Sequence, residues 1–228
     1  MYTYIKIILT LTFAFITTLP ANAKSSTTLG LSAGQYRIQD NYQSSYWMQH
    51  ISAYVKYKRV KAKVSVPYLQ QENGEQGIGN GLLKVSWLNQ WQGNYVDAHL
   101  RQRLATANED ITLPVHDQSV SLEMSRILGR IIGFIELGHW WREKTKYERE
   151  DTFFSSVGAI HVVTKKWLLG GVMDHRPTAY GEIDRTATFI AQHRLTGQHK
   201  LTLSVGKGLE SDSPDWTAGV QWQYKLKY

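Results

Sequence analysis

Gly30-Leu31-Ser32-Ala33-Gly34 spells G-x-S-x-G, the spacing that lifts a nucleophilic serine out of a sharp strand-to-helix turn for acyl transfer. That chemistry needs a helix after the serine and Asp and His partners further along. Here the motif lies inside a two-residue alternation that puts Gly30, Ser32 and Gly34 on one face of a strand, so the match is coincidental. Gly77-Ile78-Gly79-Asn80-Gly81 is glycine-rich but is not G-x-G-x-x-G, and no βαβ unit follows. It reads as a loop entering a strand. His50, His99, His116, His139, His161, His175, His193 and His199 are scattered, with no H-E-x-x-H or other compact ligand spacing. An enzyme at the outer rim would have to draw on Ser155, Ser156, His161, His116, Asp117, His175 and Asp174. No catalytic residue, metal or cofactor is assigned.

The ionisable residues carry more information. Lys56, Lys61, Lys63, Lys84, His99, Arg101, Arg103, Arg185, Lys200, Lys225 and Lys227 fall on the polar faces of alternating segments. Asp97, Glu123, Glu136 and Asp174 are their expected partners. If those faces line an interior, Lys56, Lys61, Lys63, Lys84, Asp97, His99, Arg101, Arg103, Glu123, Glu136, Arg185 and Lys200 are the candidate solute contacts. Two readings stay open: a plug of compensated charges, since small barrels fill with side chains, or a narrow pore whose positive excess favours anionic or hydroxylated solutes. The net charge is +7, yet the basic residues are spread over many segments and form no patch, which argues against nucleic acid.

Positioning such a set requires strands. From Trp216 onward one face reads Trp216, Ala218, Val220, Trp222, Tyr224, Leu226 and Tyr228, and the other Thr217, Gly219, Gln221, Gln223, Lys225 and Lys227. Successive strand side chains point to opposite faces, so one face is apolar and the other wet. The pattern recurs around 51–57, 60–68, 83–87, 96–104, 119–125 and 200–206, and more weakly around 29–38, 131–142, 152–164, 167–174 and 184–194. That makes about twelve strands of a length suited to crossing a bilayer. Short connections (Lys58-Arg59, Asn89–Gly93, Leu128-Gly129, Lys165-Lys166, Thr196–Gln198) alternate with long polar ones (Asp40–Ser44, Gln70–Gly81, Thr106–Asp117, Glu143–Asp151, His175–Gly181, Gly208–Ser213). Up-and-down membrane barrels connect their strands in this way, and a Greek-key sandwich does not. The expected fold is an all-β transmembrane antiparallel barrel in one domain, residues 24–228.

Ahead of it, Lys6, the apolar run Ile7–Leu19 and Ala21-Asn22-Ala23 make a secretory signal peptide over residues 1–23, cut after Ala23. The run is too short for a membrane helix, which needs roughly 20 apolar residues. There are 13 tyrosines and 8 tryptophans. Trp47, Trp87, Trp91, Trp140, Trp141, Trp167, Trp216 and Trp222 sit mostly near strand ends, as interfacial girdles would. With no cysteine, neither disulfides nor thiolate metal sites are available.

The chain resembles the outer-membrane β-barrels of the "MetA-pathway of phenol degradation" type. The likeness rests on Val66-Pro67-Tyr68, Gly77-Ile78-Gly79-Asn80 leading into Leu82–Trp87, Val205-Gly206-Lys207-Gly208-Leu209, and Ser213-Pro214-Asp215-Trp216 with Gly219. It spans most of the chain after residue 23. The family usually has Asp where this chain has Asn80, and Pro-Thr-Gly where it has Leu104-Ala105-Thr106. The resemblance implies a barrel and a transporter and carries over no catalytic residue. The leading expectation is a passive channel in the outer membrane of a Gram-negative cell. The alternatives are a structural or adhesive barrel with a plugged lumen and an outer-membrane lipid-modifying enzyme. Expected partners are outer-membrane lipid and lipopolysaccharide, a small solute, and the barrel-assembly machinery through the strand ending at Tyr228.

Overall fold

The computed structural model describes residues 27–39, 45–145, 149–177, 183–210 and 213–227. The expected signal peptide, its cleavage site and Tyr228 lie outside the described residues. Among the described residues thirteen strands follow one another: β1 (Thr27–Gln39), β2 (Ser45–Tyr57), β3 (Val60–Gln71), β4 (Gln76–Ile78), β5 (Gly81–Trp91), β6 (Asn94–Leu104), β7 (Gln118–Leu128), β8 (Ile131–Trp141), β9 (Thr152–Val162), β10 (Trp167–Pro177), β11 (Ile183–Arg194), β12 (His199–Gly208) and β13 (Trp216–Lys227). Twelve form a closed antiparallel ring, each paired with its neighbours in sequence, with β3 passing directly to β5. The ring shuts where β1 pairs β13, with Ser32 opposite Gln223 and Tyr36 opposite Gly219. Closure leaves no strand edge unpaired, the condition for a sheet in hydrocarbon.

The alternation seen in the sequence sets the two faces. Leu31, Ile51, Leu83, Leu100, Leu122, Ile135, Val157, Phe189, Leu203 and Val220 point out and are exposed, whereas Ser32, Ser52, Ser86, His99, Arg101, Ser121, Glu136 and Ser156 are buried inside. This inversion, greasy outside and polar inside, suits lipid as the surrounding solvent. Several inward glycines lie under an aromatic ring from the adjacent strand: Gly30 under Tyr54, Gly138 under Phe154, Gly158 under Phe134, Gly219 under Tyr36. A Cβ at any of these would collide with the ring, so glycine is what lets the wall hold large side chains flat against it.

The short connections cluster at one end together with the start of β1 and the end of β13. Between β5 and β6 the turn is Gln92-Gly93, with φ of 47° and 78°, the double left-handed conformation that matches strand twist in a two-residue hairpin. β5 therefore runs two residues past the expected start of that connection at Asn89. At two other turns, Thr164 Oγ1 accepts from the N–H of Lys166 and Trp167, and Thr196 Oγ1 from those of Gln198 and His199.

The long connections gather at the other end. One of them, expected to be irregular over Gln70–Gly81, contains the three-residue β4, which continues the ladder on the tip of β3 (Leu69 opposite Gly77). Against it packs the 105–117 connection, with Ile111 and Val115 buried. Asn80 pins that connection: its Nδ2 donates to Leu113 O at 2.7 Å and its Oδ1 accepts from Val115 N at 3.2 Å.

Candidate functional site: the charged lumen

The strand register carries eleven of the twelve candidate solute contacts to the inside: Lys56 and Lys61 face each other across β2–β3, Lys63, Lys84 and Arg101 form a row across β3, β5 and β6, and Asp97 and Glu123 pair across β6–β7. His99, Arg103, Glu136 and Lys200 share those inward faces. Arg185 is the exception. It pairs with His175 and shares the face of Ala187 and Phe189, which looks outward. Its segment lacks a clear apolar face near that end, so parity counted from the sequence slipped by one residue. Trp140 is a second correction. It points into the lumen and is buried, whereas the other seven tryptophans are exposed on the outer wall as girdles require.

Inside, charge is segregated. On the wall formed by β6–β10, Arg101 Nη2 bonds Glu136 Oε1 while its Nη1 donates to Ser121 Oγ at 2.7 Å. Glu136 Oε2 is held by Arg176 Nη2 at 2.8 Å, and Arg176 Nε reaches Asp174 Oδ1 at 2.8 Å. Ser121 and Ser156 hydroxyls bridge the same carboxylates. Phe154 lies between the two guanidiniums, with Cζ of Arg101 at 5.4 Å and Cζ of Arg176 at 5.3 Å from its ring centroid. Of the four acids expected as partners of the basic set, Glu136 and Asp174 thus go to arginines, Arg101 and Arg176. Asp97 accepts from the Asn89 N–H, and Glu123 faces His99 at 3.5 Å.

At the long-loop end a second cluster closes over the same wall. Asp117, fully buried, receives Arg103 Nη1 at 2.9 Å and Arg149 Nη2 at 2.5 Å, and Arg103 also lies 4.9 Å over the Trp140 ring. Glu143 N donates to Asp117 Oδ1 at 3.1 Å, so one carboxylate ties the 105–117 and 142–151 connections to β6. Beside them Arg142 is buried with none of its guanidinium nitrogens hydrogen-bonded among the described residues. Its burial, with Arg149 alongside, holds that guanidinium below its ordinary range.

The opposite side of the lumen differs. At the short-turn end β2, β3 and β11–β13 contribute Lys56, Lys61, Lys63, Arg194, Lys200 and Lys225. Among the described residues no Asp or Glu forms an ion pair with Lys56, Lys61, Lys63 or Lys200. Lys61 Nζ sits 4.5 Å over the Tyr54 ring. A cavity of about 320 Å³ opens here, lined by Tyr54, Gln192, Arg194, Lys200, Gln223 and Lys225. Cations and neutral hydrogen-bond donors converge on one space, the chemistry that binds an oxyanion.

Sequence reasoning missed Arg176, Arg194, Arg142 and Arg149, and named Asp117 only as a loose catalytic candidate. Arg176 and Arg194 keep the parity of Asp174 and Gln192, so extending the alternation would have found them. The two loop arginines carry no periodic signal. The rim-enzyme candidates are dispersed. Ser156 and Asp174 belong to the ion-pair wall, and Asp117 is locked between arginines. His175 stands opposite Ser155 on the outer face, but its Nδ1 accepts from Arg185 Nε at 2.9 Å. Among the described residues no three His, Cys, Asp or Glu side chains are placed to hold a metal.

No protein-family model matches the sequence, and no curated protein does either. Solved structures do match in fold. An outer membrane channel from Pseudomonas putida F1 superposes with a TM-score of 0.70 at 11% identity, over 92% of this chain and all of that one. The NanC porin gives 0.62 at 8% identity, over 87% and 100%. The KdgM porin, in complex with disordered oligogalacturonate, gives 0.58 at 9% identity, over 86% and 98%. At such identities the shared property is the fold: this chain is a twelve-stranded membrane-type barrel with the architecture of outer-membrane channels.

Proposed function

We propose that the protein is a passive outer-membrane channel that prefers small anionic solutes, needs no cofactor and performs no catalysis. The observation that carries this is the segregation of lumen charge. Glu136 and Asp174 are held by arginines on one wall, and among the described residues Lys56, Lys61, Lys63 and Lys200 of the other form no ion pair with a carboxylate, Lys200 lining a cavity. In a narrow, low-dielectric channel such uncompensated charge concentrates counter-ions and repels cations. The oligogalacturonate bound by the KdgM porin is an acidic solute, and this chain shares that fold at low identity. Kinship with the MetA-pathway type of barrel, export by way of residues 1–23, and delivery to the barrel-assembly machinery through the C-terminal strand belong to the same reading.

Planar-bilayer recording in a salt gradient tests it. The purified protein should give discrete conductance steps with a reversal potential on the anion side. Replacing Lys61, Lys63 and Lys200 together by glutamine should move that potential toward zero by more than half. Silence at every voltage would defeat the channel and favour a plugged structural barrel. Cation preference in the unmodified protein would defeat the solute class alone.

A further inference from the structure

Among the described strand residues of the outer wall near the long loops, Lys and Arg occupy only one sector. The outward positions of β3 and β5–β10 at that end include no Lys or Arg; among them are Tyr68 and Gln70 on β3, Leu83 on β5, Leu100 and Gln102 on β6, Gln118 and Val120 on β7, His139 and Trp141 on β8, Phe153 on β9 and His175 on β10. β1, β11 and β12 contribute Arg37, Arg185 and Lys207. Two of the three are mounted on tryptophan rings, Arg37 Cζ 5.7 Å from the Trp47 centroid and Lys207 Nζ 5.4 Å from that of Trp216. Arg37 also meets Glu72, and Arg185 meets Glu210. Lys207 has no ion-pair partner among the described residues.

A second observation is independent of charge. Beside Lys207, which itself lines it, the wall carries a shallow groove of about 640 Å³ between Val157, Met173, Phe189, Val205 and Trp216, floored by Gly171 and Ala187. Small side chains flanked by large ones make a shallow apolar depression across β9–β13 with Lys207 at its edge, a surface on which a hydrocarbon chain can lie. Arg37 and Lys207 lie on β1 and β12, separated by β13. Lys207 is level with Gln39 across Trp216, so Arg37 is also offset by two residues along the strand; ~9.6 Å across and ~6.7 Å along put the two positions roughly 12 Å apart, room for two phosphates on one sugar scaffold.

We infer that this sector is a docking site for a phosphorylated glycolipid of the outer leaflet, lipopolysaccharide. Its phosphates sit on Lys207 and Arg37, and one acyl chain lies in the groove. Arg–phosphate and Lys–phosphate bonds at the interface are charge-assisted, and the tryptophans hold both cations at the headgroup level. The inference rests on the membrane placement proposed above and is independent of conduction.

The test is native mass spectrometry of the full protein, purified in mild detergent from cells that make lipopolysaccharide. The unmodified barrel should retain bound lipopolysaccharide. Arg37→Glu with Lys207→Glu should lower the retained fraction about tenfold, each surface cation counting for a few-fold in affinity. Ala187→Trp, which fills the groove and leaves every charge in place, should lower it severalfold. Lys58→Glu with Lys166→Glu, at the other rim, should change nothing. Equal retention by the charge-reversed variant would overturn the site, and so would displacement by phosphatidylglycerol as effective as that by lipopolysaccharide. A conductance step from each variant reports an intact barrel. Should the unmodified protein be silent, the channel reading fails while the lipid measurement still decides.

Discussion

Glu136 is the residue on which the lumen's electrostatics turn. It is buried and takes up two guanidiniums, Arg101 and Arg176, with Ser121 as a further donor. Removing one member of a buried ionic set costs far more than removing the set, because the stranded charge has neither water nor a partner. Glu136→Leu should therefore destabilise the barrel by about 3–5 kcal/mol. The readout is the urea midpoint of the refolded protein in lipid vesicles. Adding Arg101→Met to Glu136→Leu should recover most of the loss, since a Leu–Met pair carries no charge to strand. A double variant no more stable than the single one would mean that packing against Phe154, and not charge, sets the cost. The lysines across the lumen differ physically. They are half-buried and wet, and what they contribute is potential at the mouth.

Among elements, the 105–117 connection shows how a loop becomes part of a fold. Nothing in it alternates, yet Ile111 and Val115 are buried because β4 and Asn80 give it a surface to pack on. The Asn80 amide uses both of its ends, donating to Leu113 O and accepting from Val115 N. An aspartate, which the resembled barrels carry at this position, has no donor and would set a carboxylate against a carbonyl. Asn80→Asp should loosen the connection by about 1–3 kcal/mol, the cost of an unmade buried hydrogen bond. Limited proteolysis of the protein in liposomes should then cut within 105–117 several times faster than in the unmodified chain. An unchanged digestion rate would show that Asp117 and its arginines hold the loop unaided. The departure from the resembled pattern at Asn80 thus has a structural use in this chain, one the sequence presented only as a mismatch.

For the whole molecule the decisive property is closure. A ring exposing Leu, Val, Ile and Phe over its entire wall is insoluble in water and stable in lipid, where its backbone bonds are all internal. A precursor with the leader read from Ile7–Leu19 and Ala21-Asn22-Ala23 should therefore be recovered from the outer-membrane fraction, needing detergent for extraction, with an intact mass that begins at Lys24. Recovery in the soluble extract, or a mass that keeps residues 1–23, would count against export of this kind.

Strand number, the up-and-down order and the greasy or wet identity of each face follow from the sequence alone, because in a pleated sheet facing follows from parity, and parity can be counted. Trp216 to Leu226 is the clearest instance. Parity loses its meaning where one face stops being apolar: Arg185 faces outward although its segment's polar face reads inward, and the apolar ring of Trp140 lies inside. Which charges meet depended on the stagger of non-adjacent strands and on loops folded over the mouth. Glu136 contacts Arg176, 40 positions away, and Asp117 contacts Arg149, 32 positions away. Those meetings are set by the register of β8 through β10 and by loops folded onto the wall, and no local pattern encodes them. Alternation could list the lumen's ionisable residues. Only the closed ring could divide them into a compensated wall and a cationic one.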